Sequence, residues 1–356
     1  YANPSNVNSM KQHRIICIPP LTFALLLMFT PSILQAQDKP VFPIDSLITV
    51  GYATGNKKNI SGSVEKITEL GMNKDQITNP LEAIRGRVPG LTIQKGTNGP
   101  AALDAVRLRG TTSLTSGNDP LIIVDGVFGD LSMLTSIYPT DIESFTILKD
   151  ASETAQYGSR GASGVIEITT KKGIRGKTRV SYNGSFGISS VYKNLEMLSG
   201  NEFRNLARQQ GVAILDKGNE TDFLQEIEQT GLQQNHHVAF YGGTDASSYR
   251  VSLGFMDRQG IILNEDMKNF TSNMNMTQHV FDDFLVCELG MFGSIQKNHN
   301  LFDLQKTFYS AATFNPTYPN HRNPETDSWD QITNASQITN PLAWMEVKDH
   351  DATSHI

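Results

Sequence analysis

Beyond Gly173 apolar and polar residues alternate one for one, and before it they do not. Val180, Tyr182, Phe186 and Ile188 fall on one side of Thr178–Ser190, with Arg179, Ser181, Asn183, Ser185 and Ser189 on the other. Ser248–Met256 and Phe270–Gln278 repeat the pattern, and Leu285, Cys287, Leu289, Met291 and Ile295 continue it. A period of two sends each set to its own face of a strand. A soluble sandwich and a transmembrane barrel share this dyad, so one strand decides nothing. Between the first two such strands, Met197–Gly211 has helical spacing with Ser199 as cap and Phe203, Leu206 and Ala207 on one face; Asp222–Ile227 suits a further turn.

Upstream, Asn59–Gly173 mixes helix and strand signals and reads as one compact unit. Strands are expected at Ile60–Ile67, Leu91–Gln94, Ala105–Arg109, Pro120–Val124, Ile142–Leu148 and Val165–Thr170, joined in one sheet. Leu121–Val124 is continuously apolar, as a strand covered on both faces must be, and Asp125-Gly126 supplies the turn after it. A helix is expected from Pro80, capped by Asn79, with Leu81, Ile84 and Val88 on one face and Pro89-Gly90 ending it. A short helix is expected over Ala151–Tyr157 with Asp150 as its cap; Gly158, Gly161 and Gly164 then permit tight turns.

The ends and the composition narrow the class. Lys11, His13 and Arg14 followed by the apolar Ile15–Phe29 form a secretory leader over 10–36, cut after Ala36, with 1–9 read as upstream sequence. Cys17 lies in that leader, so Cys287 alone remains; neither an intramolecular disulfide nor a cysteine metal site is expected. Net charge is −6 with dispersed basic residues, which argues against nucleic acid. No apolar run of helical-span length follows the leader, so membrane insertion would require a closed barrel.

Candidate chemistry is thin. The Gly158, Gly161 and Gly164 spacing is not the dinucleotide fingerprint, and Gly176-Lys177-Thr178 ends a phosphate loop whose first glycine would fall at Lys171. Consecutive strand residues such as His236 and His237 face opposite ways and cannot chelate together. There is no nucleophile elbow and no supported carboxylate pair, so no enzyme and no cofactor is expected.

Four motifs in order carry a resemblance. Ala83–Gly90 reads AIRGRVPG, Val106–Gly110 reads VRLRG with Arg107, Arg109 and Gly110, and Pro120–Gly126 ends in Asp125-Gly126. The block Asp141–Gly173 contains Lys149, Asp150, Tyr157, Gly158, Arg160, Gly161 and Gly164. Together these resemble the plug motifs of SusC/RagA-type TonB-linked outer-membrane proteins over roughly Leu47–Gly173. Leu47, Ile48, Thr49, Val50 and Gly51, within a linker over 37–58, resemble the TonB box, with Thr49 for the usual valine; the plainer reading is a first plug strand.

The resemblance implies an α+β plug domain over 59–173, followed over 174–356 by the first strands of an antiparallel transmembrane β-barrel in the outer membrane. It implies import of a nutrient, an oligosaccharide or peptide, with TonB energised by ExbB and ExbD, and a SusD-like surface lipoprotein as lid. An adhesin or structural barrel without energised transport is the alternative. Arg85, Arg87, Arg107 and Arg109 are expected to meet the polar barrel wall. The aromatics Phe302, Phe308, Tyr309, Phe314, Tyr318, Trp329 and Trp344 suit a long surface loop that stacks on cargo. Plugged barrels have about twenty-two strands. Only about five or six are countable here, so the sheet is expected to stay open, as the N-terminal part of a longer receptor.

Overall fold

A computed structural model describes residues 47–50, 53–56 and 63–356, except 74–76, 78, 97–98, 115–116, 282, 302, 333–337 and 348; at 47–56, 349 and 350 it describes backbone alone. The leader, residues 1–9, Gly51 and Phe302 lie outside the described residues. β1 (Leu47–Val50) and β2 (Ala53–Asn56) pair antiparallel as a hairpin of their own, apart from the sheet that follows.

The inner domain is built on a five-stranded sheet. β3 (Val64–Thr68) lies at one edge, beside β8 (Ile142–Leu148), then β9 (Val165–Thr170), β6 (Leu121–Val124) and β7 (Val127–Gly129). β6 and β9 run parallel and the other pairs antiparallel. All four residues of β6 are buried, as its unbroken apolar run requires. Asp125 and Gly126 turn between β6 and β7 with φ of 47° and 87°, the left-handed pair that a two-residue hairpin needs. The Asp125 carboxylate then accepts from Thr170 N at 2.9 Å and Thr170 Oγ1 at 2.6 Å, tying the turn to the end of β9.

Two expectations change. β4 (Leu91–Gln94) and β5 (Ala105–Leu108) form a separate two-stranded ladder rather than joining the sheet. Their alternating exposure suits a ribbon covered on one face, with Val106 and Leu108 turned into the core. The helix at Pro80 is a 3-10 turn, Pro80–Ile84. Asn79 Oδ1 accepts from Leu81 N at 3.1 Å and Glu82 Oε2 accepts from Asn79 N at 3.3 Å, a complete capping box. It stops there because Arg85 adopts ψ 125° and Gly86 φ 72°, a tight turn; Val88 is buried all the same.

Beyond Gly173 an antiparallel meander runs in sequence order: β10 (Gly176–Ser189), β11 (Gly231–Gly243), β12 (Ser247–Gln259), β13 (Asp266–Val280), β14 (Leu285–Leu301) and β15 (Asp349–His355). Its burial is inverted. Val180, Tyr182, Phe186, Ile188, Leu253, Phe270, Met276, Leu289 and Met291 are exposed, while Arg250, Ser252, Asn269, Thr271, Asn273, Asn275, Ser294 and Gln296 are buried. The register keeps the faces pure: Met276 opposes Leu289, Met274 opposes Met291 and Phe270 opposes Ile295. That is the arrangement of a sheet with lipid outside and a polar filling inside. Among the described residues the sheet does not close on itself.

The long connections lie at one end of the meander and hold a second core. Gly200–Gln210 is a helix with a Ser199–Glu202 capping box, ended by Gly211 at φ 65°; Ala207 is buried but Leu206 is exposed, against expectation. Asp222 Oδ1 caps the turn Phe223–Glu226, accepting from Leu224 N at 3.1 Å. Phe223, Ile227, Phe314 and Tyr318 pack together, with Phe314 edge-on to Phe223 at 5.0 Å and to Tyr318 at 5.1 Å. Of the aromatics expected on a cargo-stacking surface loop, Phe314 and Tyr318 are therefore core, whereas Phe308 and Tyr309 are exposed.

Gly164 sits at φ 92°, and a Cβ there would lie 2.5 Å from Leu108 Cδ1. Gly158, at φ 61°, faces open space. Backbone strain costs about 1–3 kcal/mol at either position, and at Gly164 a core clash adds about 1–3 kcal/mol more. Gly164→Ala therefore destabilises the inner domain clearly more than Gly158→Ala, measured by the denaturant concentration at which its β9 amides lose exchange protection.

Candidate functional site

The two sheets meet on one buried carboxylate. The turn Pro139–Asp141 places Asp141 at the head of β8, where Lys171 N donates to its carbonyl at 2.7 Å. Its side chain points into the inward face of the meander. Asp141 Oδ1 accepts from His237 Nε2 at 3.0 Å and from Arg250 at 2.8 Å, and Oδ2 accepts from Ser252 Oγ at 2.6 Å. His237 stands on β11 and the other two on β12, all at inward positions of the alternation. Asp141 is 2% exposed and His237 1%.

Beside this cluster Tyr138 stacks on His237, ring centroids 4.6 Å apart. The ring rests against Gly254, where a Cβ would strike both it and Thr271 Oγ1, the latter at 2.5 Å. Glycine is needed there for close approach, not for φ. Burial pushes the Asp141 carboxyl upward, but the bonds from His237, Ser252 and Arg250 outweigh it and hold the group below the usual aspartate range. Burial and the Asp141 charge together push the Tyr138 phenol up to about 12, so it stays neutral.

Elsewhere the interface is mostly polar, apart from Met256 and Met267 of the meander packed against Tyr138 and Ala101. Asn275 Nδ2 donates to Thr170 Oγ1 at 3.1 Å, Asn269 Nδ2 to Thr135 O at 2.8 Å, and Lys172 pairs with Glu288 at 2.8 Å. A cavity of about 670 Å³ lies between the two bodies, lined by Glu69, Asn73, Thr140, Lys171, Asn183 and Asn235 among others. Hydrogen bonds in a partly open seam let two bodies separate at lower cost than an apolar core of equal area does.

The motif residues sit elsewhere. Arg85 pairs with Asp104 at 3.4 Å, Arg87 Nε donates to Asn73 Oδ1 at 2.8 Å, Arg107 pairs with Asp119, and Arg109, at φ 56°, pairs with Asp150. None of these arginines pairs with the described strands of the wall. The inner domain's own loops supply their partners, and at the wall the polarity is reversed, with Arg250 on the meander and the carboxylate inside. Asp150 holds the N-cap position of the short helix Ala151–Thr154, as expected, but its side chain makes no capping bond: it accepts from Ser63 N at 2.5 Å and from Arg109. Those two bonds hold its carboxyl below the usual range.

Lys149 Nζ donates to Pro89 O at 3.4 Å, Tyr157 packs edge-on to Phe128 at 5.9 Å, and Arg160 is exposed. Gly158 and Gly164 have positive φ, as does Gly110, and Gly161 is buried under Thr154 O. His236 and His237 face opposite ways: His236 bonds the Tyr182 hydroxyl at 2.7 Å on the outer face. Among the described residues no group of three or more His, Cys, Asp or Glu is placed to hold a metal. No described helix is long and apolar enough to cross a membrane.

Residues 56–165 match the TonB-dependent Receptor Plug Domain family. The chain is 33% identical over 343 residues to the TonB-dependent receptor SusC of Bacteroides thetaiotaomicron, an alignment covering 88% of this chain and 34% of that protein. It is 35% identical over 251 residues to the TonB-dependent receptor P3 of Formosa agariphila, covering 70% and 25%. Among solved structures it is similar to the RagAB peptide importer in the open-open state, with a TM-score of 0.70 and 25% identity over 83% of this chain and 38% of that one. The chain spans about a third of the length of these relatives.

Asp141→Ala leaves the Arg250 guanidinium buried without its counter-charge, a loss of about 3–5 kcal/mol in the grip between the bodies. Because folding lowers the Asp141 value, its contribution is complete at neutral pH and is lost only as pH falls below about 4, the unfolded aspartate value. Exchange protection of amides 136–142 in the wild type is expected to hold from neutral pH down to that point and then fall. In Asp141→Ala it is low throughout.

Proposed function

The chain belongs to the SusC/RagA family of TonB-dependent receptors, and we propose that it supplies the plug and barrel strands of an outer-membrane nutrient importer. One observation carries this reading: the meander buries its polar face on the inner domain and leaves its apolar face bare. Lipid covers the bare face, and the inner domain, residues 59–173 in our division, stoppers the lumen. The strands from 174 onward are the wall. The relatives are receptors and importers, not enzymes, and we assign the chain no catalytic step.

Leu47–Val50 lies within the 37–58 linker, and Gly51 follows. β1 pairs on one side with β2. Its other edge suits β-augmentation, in which a partner adds a strand through main-chain hydrogen bonds. We assign that partner as TonB, driven by ExbB and ExbD. A pull there reaches Ser63, whose N–H is held by Asp150, and then β3, an edge strand joined to the sheet through β8 alone. β3 opposes Leu148 with Val64 and Ser144 with Thr68, and β8 is anchored at its far end by Asp141. Load enters and leaves this ladder at opposite ends, so its bonds are strained together and force passes on to the Asp141 cluster. Parting of that cluster widens the polar seam for cargo. An oligosaccharide or peptide as cargo, and a SusD-like lipoprotein as lid, follow from the kinship with SusC and RagAB.

Ile48→Pro removes one main-chain donor and stiffens the strand that TonB would pair with. Energised uptake by the receptor should fall by about tenfold, as the loss of one main-chain bond and the stiffened strand imply, while cargo binding at the cell surface persists. Uptake at the wild-type rate would remove TonB from the scheme and leave an adhesin or passive barrel.

A further inference from the structure

A second grip lies at the opposite end of the meander from the short turns, where Gly260–Glu265 joins β12 to β13. Glu265 is 3% exposed, and its Oε1 has no hydrogen-bond partner. Two glycines make room for it. Gly260 N donates to Glu265 O at 2.7 Å, and a Cβ on Gly260 would lie 2.9 Å from Glu265 Cβ. Across the interface, Gly99 of the inner domain sits at φ 79° directly on the carboxyl. A Cβ there would lie 2.9 Å from Oε1 and 3.0 Å from Oε2. The loop that carries Gly99 joins β4 to β5, and among the described residues one further bond holds it on this side, Arg258 to Pro100 O at 3.4 Å.

A carboxylate cannot keep its charge in such a place without donors. The charged groups on the surrounding elements are Glu82, Lys95 and Asp104 on the inner domain, Asp257 and Arg258 on β12, Asp266 and Lys268 on β13, and Lys297 and His299 on β14. None offsets the burial, which pushes the Glu265 carboxyl up to about 7. Contrast Asp141, which brings three donors and stays charged.

We propose that Glu265 is a positioning residue that latches the β4–β5 loop to the barrel wall while its carboxyl is uncharged, and that its ionisation releases the loop. A carboxylate must reach water, and the path out displaces Gly99. The closed loop holds a proton that the open loop gives up. Opening therefore becomes about tenfold more favourable per pH unit between the ordinary glutamate value and about 7, and levels off above it. The plug then has two grips of opposite pH character: Asp141 loosens in strong acid, Glu265 as pH rises toward neutrality.

The test is amide hydrogen exchange of peptides spanning 91–108 in the receptor in outer-membrane vesicles, corrected for intrinsic rates, between about pH 5 and pH 7. Wild-type opening should rise about fortyfold across that range, whereas Glu265→Gln, isosteric and always neutral, should be flat and closed. A purely structural glutamate would give a wild type with no slope, and that result overturns the proposal. The same slope in Glu265→Gln overturns it too, assigning the proton to another group such as His299. The wild-type series needs no variant to fold, so the proposal stands or falls on it even if Glu265→Gln is unstable.

Discussion

A sheet whose inward face is polar cannot be filled by an apolar core. Whatever occupies it must answer each buried side chain with a hydrogen bond, because an unmet polar group costs about 1–3 kcal/mol. That constraint fits an inner domain whose main core, around Phe145, Ile147, Ile166 and Ile168, lies within it and is touched from the meander by Phe292, with a small patch of Met256 and Met267 against Tyr138 beside it. It turns Thr135, Asp141 and Thr170 toward the strands instead. It also explains why the strongest single contact is a carboxylate ringed by His237, Arg250 and Ser252. A plug has to be held and has to move. Directional bonds do both, since they fix one position and break in a defined order.

The two grips solve the same burial problem in opposite ways. Asp141 arrives with enough donors to stay ionised. Glu265 has no donor to Oε1 among the described residues, and Gly99 and Gly260 leave space for a neutral carboxyl. One lies near the start of the barrel strands, where Lys171 and Lys172 lead into β10, and the other at the end bearing the long connections. Those connections are not loose: Phe223 and Ile227 from the first pack with Phe314 and Tyr318 from the second, giving that end of the meander its own core.

Much of the fold was legible in residue order. Alternation in β10, β12, β13 and β14 was plain because lipid on one face and a polar filling on the other impose a strict period of two, whereas β11 was not picked out. The unbroken Leu121–Val124 run and the Asp125-Gly126 turn were equally plain, being set by neighbours within a few residues. The site was not. Parity places His237, Arg250 and Ser252 inward, but nothing local says that Asp141, about a hundred residues earlier, meets them. The partners of the motif arginines were hidden for the same reason, since Asp104, Asp119 and Asp150 come from loops whose path the sequence does not fix. Tyr318 looked like loop because Asn and Pro surround it, yet distant segments close a core over it.

The central claim is that the β10–β15 sheet presents one face to lipid and the other to the plug. Neighbouring residues on β12 and β13 test it most directly. With Cys287 replaced by Ser, single cysteines at Leu253, Met274, Ser252 and Asn273 would carry a small fluorophore in receptor embedded in vesicles of acyl-brominated lipid. Leu253 and Met274 should be strongly quenched, with Ser252 and Asn273 shielded from both the brominated chains and aqueous iodide. Equal quenching by lipid at all four positions, or ready quenching by iodide at Leu253, would contradict it.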